Sequence, residues 1–448
     1  MAKVSVVMPC LNMVKYIEKS VRSVMNQILC DIEIIVIDAG SSDGSLEILN
    51  NLAKTDERII ILHSEMKSYG HQVNMGIEYA NGEYIGIVDT DDYITDDAYD
   101  FLYNKAMETG ADYVKGTALG FWNINDTLQY TFPICSFKNY DDDIIINPSN
   151  SSFLLVGDNF LWYGLYKAEF LKKICLHESA GAAFQDFGAL LQIQTTAEKA
   201  VYTEHLIYYY RQDNINASSY NHKSIFFIAN EYGWAEKHII SLSNEWKSSF
   251  YRKQFLHLID RVYTMAASKE YWQGCEKDIN VIAERLKKAF EVNILSEKDF
   301  SEEELENYQL LIESPYKLYS KYEKRYINNL NRLKQLIQNI KISDRKNIVI
   351  FGAGIVGRFI AAELIYRKVC SPICFCDNNK NIQNTQWNEI PVYSPEYCTE
   401  KYKDTVYIIA NLKYADVMKE QLIKLNIPAE NIMCCSINAD IHLFSEKL

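Results

Sequence analysis

Asp89-Thr90-Asp91-Asp92 places three carboxylates within four residues, directly after the apolar run Tyr84 to Val88. Like charges that close repel unless a cation sits between them. A hard divalent ion carrying a phosphate suits such a loop, because Mg²⁺ and Mn²⁺ take oxygen ligands and keep open positions for substrate phosphates. The alternative is a solvated acidic turn in which Asp91 or Asp92 caps the following helix. A second candidate is Gln185-Asp186, set between Gly181 and Gly188 in HESAGAAFQDFGA. A carboxylate on a small-residue loop that opens a helix is placed either to take a proton or to cap that helix.

The elements that must hold these residues follow from hydropathy. Val4 to Met8 reads as a strand broken by Pro9-Cys10-Leu11-Asn12, and Tyr16 to Gln27 has helical spacing. Glu33 to Ile37 is a second strand, ending in the polar turn from Asp38 to Gly44, and Ser45 to Leu52 is helical. Arg58 to Leu62, Gln72 to Ala80 and Tyr84 to Val88 continue the alternation as strand, helix and strand. Such alternation implies βαβ units and a parallel sheet, with ligands at the carboxyl ends of its strands. Asp38, Asp43 and the Asp89 to Asp92 cluster all fall at that edge. The run FLLVGDNFLWYGLYKAEFL, Phe153 to Leu171, reads either as an aromatic core helix or as a sugar-stacking wall, with Trp162 the exposed ring expected on the acceptor side.

Residues 222–345 are poor in glycine and helical in period. After Pro315 one helix carries Tyr319, Tyr322, Tyr326, Leu330, Leu333, Ile337 and Ile340 on one side and lysines and arginines on the other. It reads as an inter-domain helix with a solvated face or as a peripheral contact with an anionic membrane. From Lys346 a strand leads into Gly352-Ala353-Gly354-Ile355-Val356-Gly357 and a helix, and a second strand ends at Asp377, 20 residues beyond Gly357. That is the pattern of a dinucleotide fingerprint, with Gly352, Gly354 and Gly357 at the phosphate turn and Asp377 at the ribose. A docking, oligomerisation or relic role is favoured over bound NAD or a nucleotide sugar, because about 100 residues leave no room for a separate substrate domain.

The chain has 448 residues and a net charge of −13, which argues against nucleic acid as a partner. No apolar run is long enough to cross a membrane, and Met1-Ala2-Lys3 leads straight into a strand, so a cytoplasmic protein without a signal peptide is expected, peripheral on the inner face of the cytoplasmic membrane at most. The 11 scattered cysteines read as reduced thiols.

The segments VSVVMPCLN, YIEKSVRSVMNQ, EIIVIDAGSSDGS and NMGIEYANGEYIGIVDTDDYI stand in the order and spacing of family 2 glycosyltransferases. The resemblance covers about residues 3–220 and implies an α/β nucleotide-binding domain of the GT-A type. With the helical and glycine-turn segments read above, the expected domains are 1–221 (transferase), 222–345 (helical) and 346–448 (Rossmann-like). It assigns Asp91 to the metal, Mn²⁺ or Mg²⁺, and Pro9, Asn12, Asp38 and Asp89 to the donor. Asp186, about a hundred residues after the metal motif, becomes the general base. Arg211, in Tyr208-Tyr209-Tyr210-Arg211-Gln212-Asp213-Asn214, becomes a phosphate clamp or a structural ion pair. Two departures stand out. Asp38-Ala39-Gly40-Ser41 lacks the second carboxylate with which the family reads uracil, and Val73-Asn74 replaces the family's Arg-Asn, leaving His71 as a stand-in phosphate contact or a surface histidine.

The function implied is inverting transfer of a sugar from a nucleoside-diphosphate donor, UDP first, to a saccharide or lipid-linked saccharide in capsule or lipopolysaccharide assembly. The competing readings are a bifunctional protein with NAD-linked sugar chemistry in its C-terminal part and a non-catalytic assembly protein.

Overall fold

The computed structural model describes residues 2–135, 143–157, 160–221, 223–266, 269–343, 347–411, 413–435, 437–439 and 441–445. The chain divides into two compact units: residues 1–120 with 133–319, and residues 121–132 with 320–448. The expected boundaries at 222 and 345–346 fall outside the described residues.

The first unit opens with β1 (Val4–Cys10), α1 (Ile17–Met25), β2 (Ile32–Asp38), α2 (Ser45–Ala53), β3 (Ile59–His63), α3 (Tyr69–Tyr79) and β4 (Tyr84–Ile87). β3, β2, β1 and β4 pair in that order, all parallel, which sets Asp38 beside Cys10 and His63. Apolar runs such as Ile34 to Ile37 are buried on both faces, as a helix-covered parallel sheet requires. Pro9 does not end β1. It lies past Ile87, where pairing with β4 has stopped, so its missing N–H leaves no partner unpaired, and its carbonyl accepts from the Thr90 hydroxyl at 2.8 Å. The break comes at Asn12, with φ of 57°.

The sheet then turns mixed. β5 (Tyr93–Ile94), α4 (Ala98–Thr109), β6 (Tyr113–Asn123), β7 (Gln129–Cys135) and β8 (Ile144–Ile146) precede α5 (Phe153–Gly157), β9 (Gly164–Lys167) and α6 (Ala168–Leu171). α7 (Asp186–Thr196) and β10 (Ala200–Arg211) complete it. β9 lies antiparallel between β4 and β6, and β10 pairs antiparallel with both β5 and β8. The stretch 153–171 is therefore helix, strand and helix rather than one helix, and the centre of the sheet runs through its aromatic residues. Helices α8 (Ser224–Ile239), α9 (Asn244–Met265), α10 (Lys269–Glu291) and α11 (Glu302–Glu313) follow, then α12 (Pro315–Ser343), most of which belongs to the second unit; of its expected apolar face Tyr319, Tyr322, Tyr326, Leu333, Ile337 and Ile340 are buried and Leu330 is half-buried. No described helix is long and apolar enough to cross a membrane.

The second unit is built on β11 (Ile348–Phe351), α13 (Ile355–Tyr366), β12 (Cys374–Cys376), β13 (Gln386–Trp387), β14 (Ile390–Tyr393), α14 (Pro395–Lys401), β15 (Val406–Ile409), α15 (Ala415–Lys424) and β16 (Ile432–Cys434). Strand order is β13-β14-β12-β11-β15-β16, parallel except for the β13–β14 pair. The tip of the β6–β7 hairpin belongs to this unit: Trp122 stacks on Phe444 at 5.3 Å, and Tyr130 packs edge-on against Phe359 at 5.8 Å.

Candidate active site

Five segments of the first unit meet around the end of β4. Asp89 leaves the strand with its N–H bonded to the Tyr208 hydroxyl, 3.1 Å, and its carbonyl accepting from Ser20 Oγ, 3.2 Å. The same Tyr208 hydroxyl donates to Asp92 Oδ2 at 2.8 Å, and Asp92 Oδ1 accepts the Arg211 N–H at 2.6 Å. Both Asp92 oxygens thus face donors from β10, which makes Asp92 the tie between the acidic loop and that strand. Asp91 Oδ2 accepts from Asn214 Nδ2 at 2.8 Å. Asp89 Oδ1 is different: it is buried and has no hydrogen-bond partner among the described residues.

Burial pushes the carboxyls of Asp89, Asp91 and Asp92 upward, and for Asp89 and Asp92 the neighbouring acids add to the shift. For Asp89 those neighbours are Asp91 and Asp186, with the Tyr69 hydroxyl pulling the other way. An orphaned carboxylate oxygen in a field of like charge is what a divalent ion relieves, so the residues present fit one. Among the described residues no three acidic, histidine or cysteine side chains converge on a metal position. An ion here would be held by one or two carboxylates and completed by substrate phosphates and water, the usual manner for Mg²⁺.

Asp186 is the first residue of α7, after Phe184 at φ of 66°. Burial raises its carboxyl to about 6, while its own N–H, the Lys115 charge and the Phe187 N–H hold it down. Its charge helps to raise the Asp89 carboxyl, so the two acids lie within electrostatic reach of each other. The loop before α7 is latched to α3. Gln185 Oε1 accepts the Gly70 N–H at 2.7 Å, and Asn74 bonds the Leu176 carbonyl, the Leu176 N–H and Glu178 at 3.0, 2.9 and 2.8 Å. His71 Nδ1 lies 3.0 Å from Glu178. A Cβ on Gly70 would stand 2.2 Å from the His177 carbonyl, so only glycine allows this approach.

Several expected residues sit elsewhere or do something else. Trp162 is 4% exposed, a correction to its expected place on the acceptor surface. It is sandwiched in a stack with Phe160, Tyr208 and Tyr210 at 4.6, 4.2 and 4.8 Å, because the end of β9 lies at the centre of the sheet. Arg211 is 6% exposed; its Nε donates to the Asp91 carbonyl at 2.7 Å, its Nη1 to Asp213 at 3.0 Å, and its plane lies 4.4 Å from the Tyr16 ring. The guanidinium thus forms the structural ion pair with Asp213 and also bonds the acidic-loop carbonyl of Asp91. Asp38 is 1% exposed and its oxygens accept the Gly40 and Ser41 N–H groups at 3.0 and 3.1 Å. Asn12 takes the Ser42 N–H at 2.9 Å, which ties the β1 and β2 loops together. His71, read as a stand-in phosphate contact or a surface histidine, is partly exposed and pairs with Glu178. Tyr208, Tyr69, Asn214 and Gln72 were missed. Gln72 Nε2 bridges the Cys10 and Ile37 carbonyls at 2.9 and 2.6 Å, and nothing local in the sequence marks it.

In the second unit Gly352 has φ of 108°, and a Cβ on Gly357 would fall 1.8 Å from the Gly352 carbonyl, so both glycines are required by the turn. Gly354 faces open space. Asp377 Oδ2 accepts the Ala353 N–H at 2.7 Å and Oδ1 the Asn379 N–H at 2.8 Å.

Residues 5–146 match the model of glycosyl transferase family 2, and residues 344–433 match a model described as C2185-like, N-terminal. The chain is similar to glycosyltransferase GlyG of Streptococcus pneumoniae, 31% identical over 214 residues, which is 47% of this chain and 70% of that one. It is 30% identical over 220 residues to the GalNAc(5)-diNAcBac-PP-undecaprenol beta-1,3-glucosyltransferase of Campylobacter jejuni, 48% of this chain and 67% of that one. In fold it resembles residues 1–349 of Staphylococcus aureus TarS, solved with UDP-GlcNAc: the TM-score is 0.51 at 18% identity, over 73% of this chain and 92% of that one. An acidic loop at the end of β4, the family model over the sheet that carries it, and a relative matched across more than two thirds of its length converge: the chain belongs to glycosyltransferase family 2.

Proposed function

We propose that this protein transfers a sugar from a nucleoside-diphosphate donor, UDP first, to a saccharide hydroxyl with inversion at the anomeric carbon, in the assembly of a bacterial surface polysaccharide. The observation that carries the reading is Asp186, raised to about 6 by burial and within electrostatic reach of Asp89 in the acidic loop at the end of β4. A carboxylate in that range is ionised at neutral pH yet basic enough to take a proton. The names and complexes of the relatives support the donor and acceptor classes: one acts on an undecaprenol-linked saccharide and another was solved with UDP-GlcNAc.

In the proposed reaction the acceptor hydroxyl gives its proton to Asp186 as its oxygen attacks the anomeric carbon. The bond from that carbon to the β-phosphate oxygen breaks, and the nucleoside diphosphate leaves with the electron pair. Single displacement needs no covalent enzyme intermediate. Asp91, with Asp89 beside it, would hold Mg²⁺ or Mn²⁺, which when bound stabilises the charge growing on the leaving diphosphate. Asn214 aims Asp91, while Arg211 and Tyr208 brace the loop. Pro9, Asn12 and Asp38 shape the donor side through backbone and loop geometry. Trp162 forms the packed floor beneath β10.

For residues 346–448 we propose a Rossmann-like fold with a docking or oligomerisation role. The parallel strand order and glycine turn support the fold, and the engagement of Asp377 with the turn's own amides supports the role. NAD remains the less favoured ligand.

The test is a screen of UDP-sugars for hydrolysis and transfer with Mn²⁺ or Mg²⁺ and with excess chelator. Turnover of at least one nucleotide sugar that chelator abolishes is expected. Full activity in chelator contradicts the metal role, and no turnover of any nucleotide sugar with a range of saccharide acceptors contradicts the transferase reading.

A further inference from the structure

Glu231 on α8 is 2% exposed and stands behind the N-terminus of α7. Its Oε1 accepts the Gly188 N–H at 3.2 Å, two residues past Asp186, and its Oε2 lies 2.8 Å from His177 Nδ1 in the loop that leads to Asp186. The fit is close. A Cβ on Gly188 would stand 2.6 Å from Glu231 Oε1 and 2.4 Å from the Trp234 ring, so the second glycine of HESAGAAFQDFGA is the opening through which Glu231 reaches the helix. Trp234 also stacks on the His177 ring at 4.8 Å, fixing the plane in which Nδ1 points.

The charges around Glu231 come from every side. Asp186 faces it from α7, and Lys237 from its own helix. From α9, Lys253 bears on Asp186, and His257 is bonded to the Tyr232 hydroxyl at 3.0 Å. From α10, Arg285 donates to the Ala229 carbonyl at 2.7 Å. Burial, then the Asp186 charge, pushes Glu231 up to about 9, and burial with the Lys237 charge pushes His177 below its usual value. A protonated carboxyl has one acceptor oxygen and one O–H donor, and a neutral imidazole protonated at Nε2 has a bare Nδ1. The contacts accommodate that pairing: an N–H faces Oε1, and Nδ1, which donates or accepts according to the ring's tautomer, faces Oε2.

We propose that Glu231 is the positioning residue of the transferase base and does this work as a neutral acid. Its carbonyl oxygen holds the first turn of α7, its O–H is donated to His177 Nδ1, and Asp186 is fixed in place with no second negative charge behind it. This rests on Asp186 as the base. Glutamine reproduces both contacts, because its amide offers the same acceptor and donor. Glu231→Gln in the full chain is therefore expected to transfer sugar within about threefold of the unaltered protein at pH 7.5. It is also expected to lack the fall in kcat/KM that ionisation of Glu231 produces in the unaltered protein above about pH 9. A loss of about tenfold or more at pH 7.5 in a folded Glu231→Gln protein overturns the proposal, since it means that a charged Glu231–His177 pair was required. Should that variant fail to fold, ¹⁵N spectra of the His177 ring in the unaltered protein decide. A neutral ring with a bare Nδ1 at pH 7 is expected, and an imidazolium overturns the proposal. Failure of the base reading is separate: it shows as sugar transfer by Asp186→Asn, whatever the state of His177.

Discussion

At the scale of single residues, the site is a problem in placing negative charge. Asp92 is neutralised in effect by two donors from β10, Asp91 is aimed by Asn214, and Asp89 keeps one buried oxygen without a partner. The unequal treatment of three adjacent acids assigns them different work. Asp91→Asn removes a charged ligand yet keeps the size of the side chain, so the fold is expected to survive. Turnover is expected to fall on the order of 10²-fold or more, with Mn²⁺ no longer rescuing a chelated sample at ordinary concentration. Normal Mn²⁺ dependence in Asp91→Asn contradicts the assignment. The residue types and spacing of this loop were legible in the sequence because β4 is short, apolar and abruptly ended. The difference between Asp91 and Asp92 was only partly legible, since it depends on Tyr208 and Asn214, more than 110 residues away.

At the scale of elements, the base is held by a loop rather than by a strand. The stretch before α7 is laid across α3 by Asn74, Gly70 and Gln185, and Asn74, the residue that Val73-Asn74 shares with the family's Arg-Asn, is the latch. Asn74→Ala removes the three bonds to Leu176 and Glu178 and a fourth to Cys175 Sγ, which is expected to cost roughly 2 kcal/mol of stability. It is also expected to slow transfer about tenfold as Asp186 drifts, because small displacements of a reacting group are expensive. Thermal unfolding and steady-state kinetics on the purified variant check this, and unchanged kinetics would mean that the loop is held by its other contacts. Periodicity showed the strands β1 to β4 within a residue or two. It could not show that 153–171 contains β9, since a buried strand flanked by short helices carries the same aromatic pattern as a buried helix. Nor could it show that Trp162 faces inward.

At the scale of the whole chain, the second unit borrows residues 121–132 from the β6–β7 hairpin. Trp122, Tyr130, Phe359 and Phe444 form one aromatic cluster within it. A protein cut near Lys341 would leave Trp122 and Tyr130 without Phe359 and Phe444, so the two halves are not simply separable. Trp122→Ala in the full chain is expected to destabilise the second unit by about 3–5 kcal/mol, the range for deleting a large buried aromatic. Limited proteolysis reads this directly: earlier cleavage within 347–445 is expected, and an unchanged digestion pattern contradicts it. The strand, glycine turn and helix at β11 and α13 were legible in the sequence, but a loan of twelve residues from so far upstream leaves no local mark.

The claim on which the account turns is that Asp186 takes the proton of the acceptor hydroxyl. Its raised carboxyl must be ionised to act, so kcat/KM should climb with pH through about 6 and level off until the fall expected above about pH 9. The direct measurement compares the unaltered protein with Asp186→Asn across this range, following transfer and, separately, binding of the nucleotide-sugar donor. The account predicts that Asp186→Asn binds donor normally, loses transfer by a factor on the order of 10²–10⁴ and has no rise near pH 6 in what remains. Transfer at close to the normal rate with the same pH profile would contradict it.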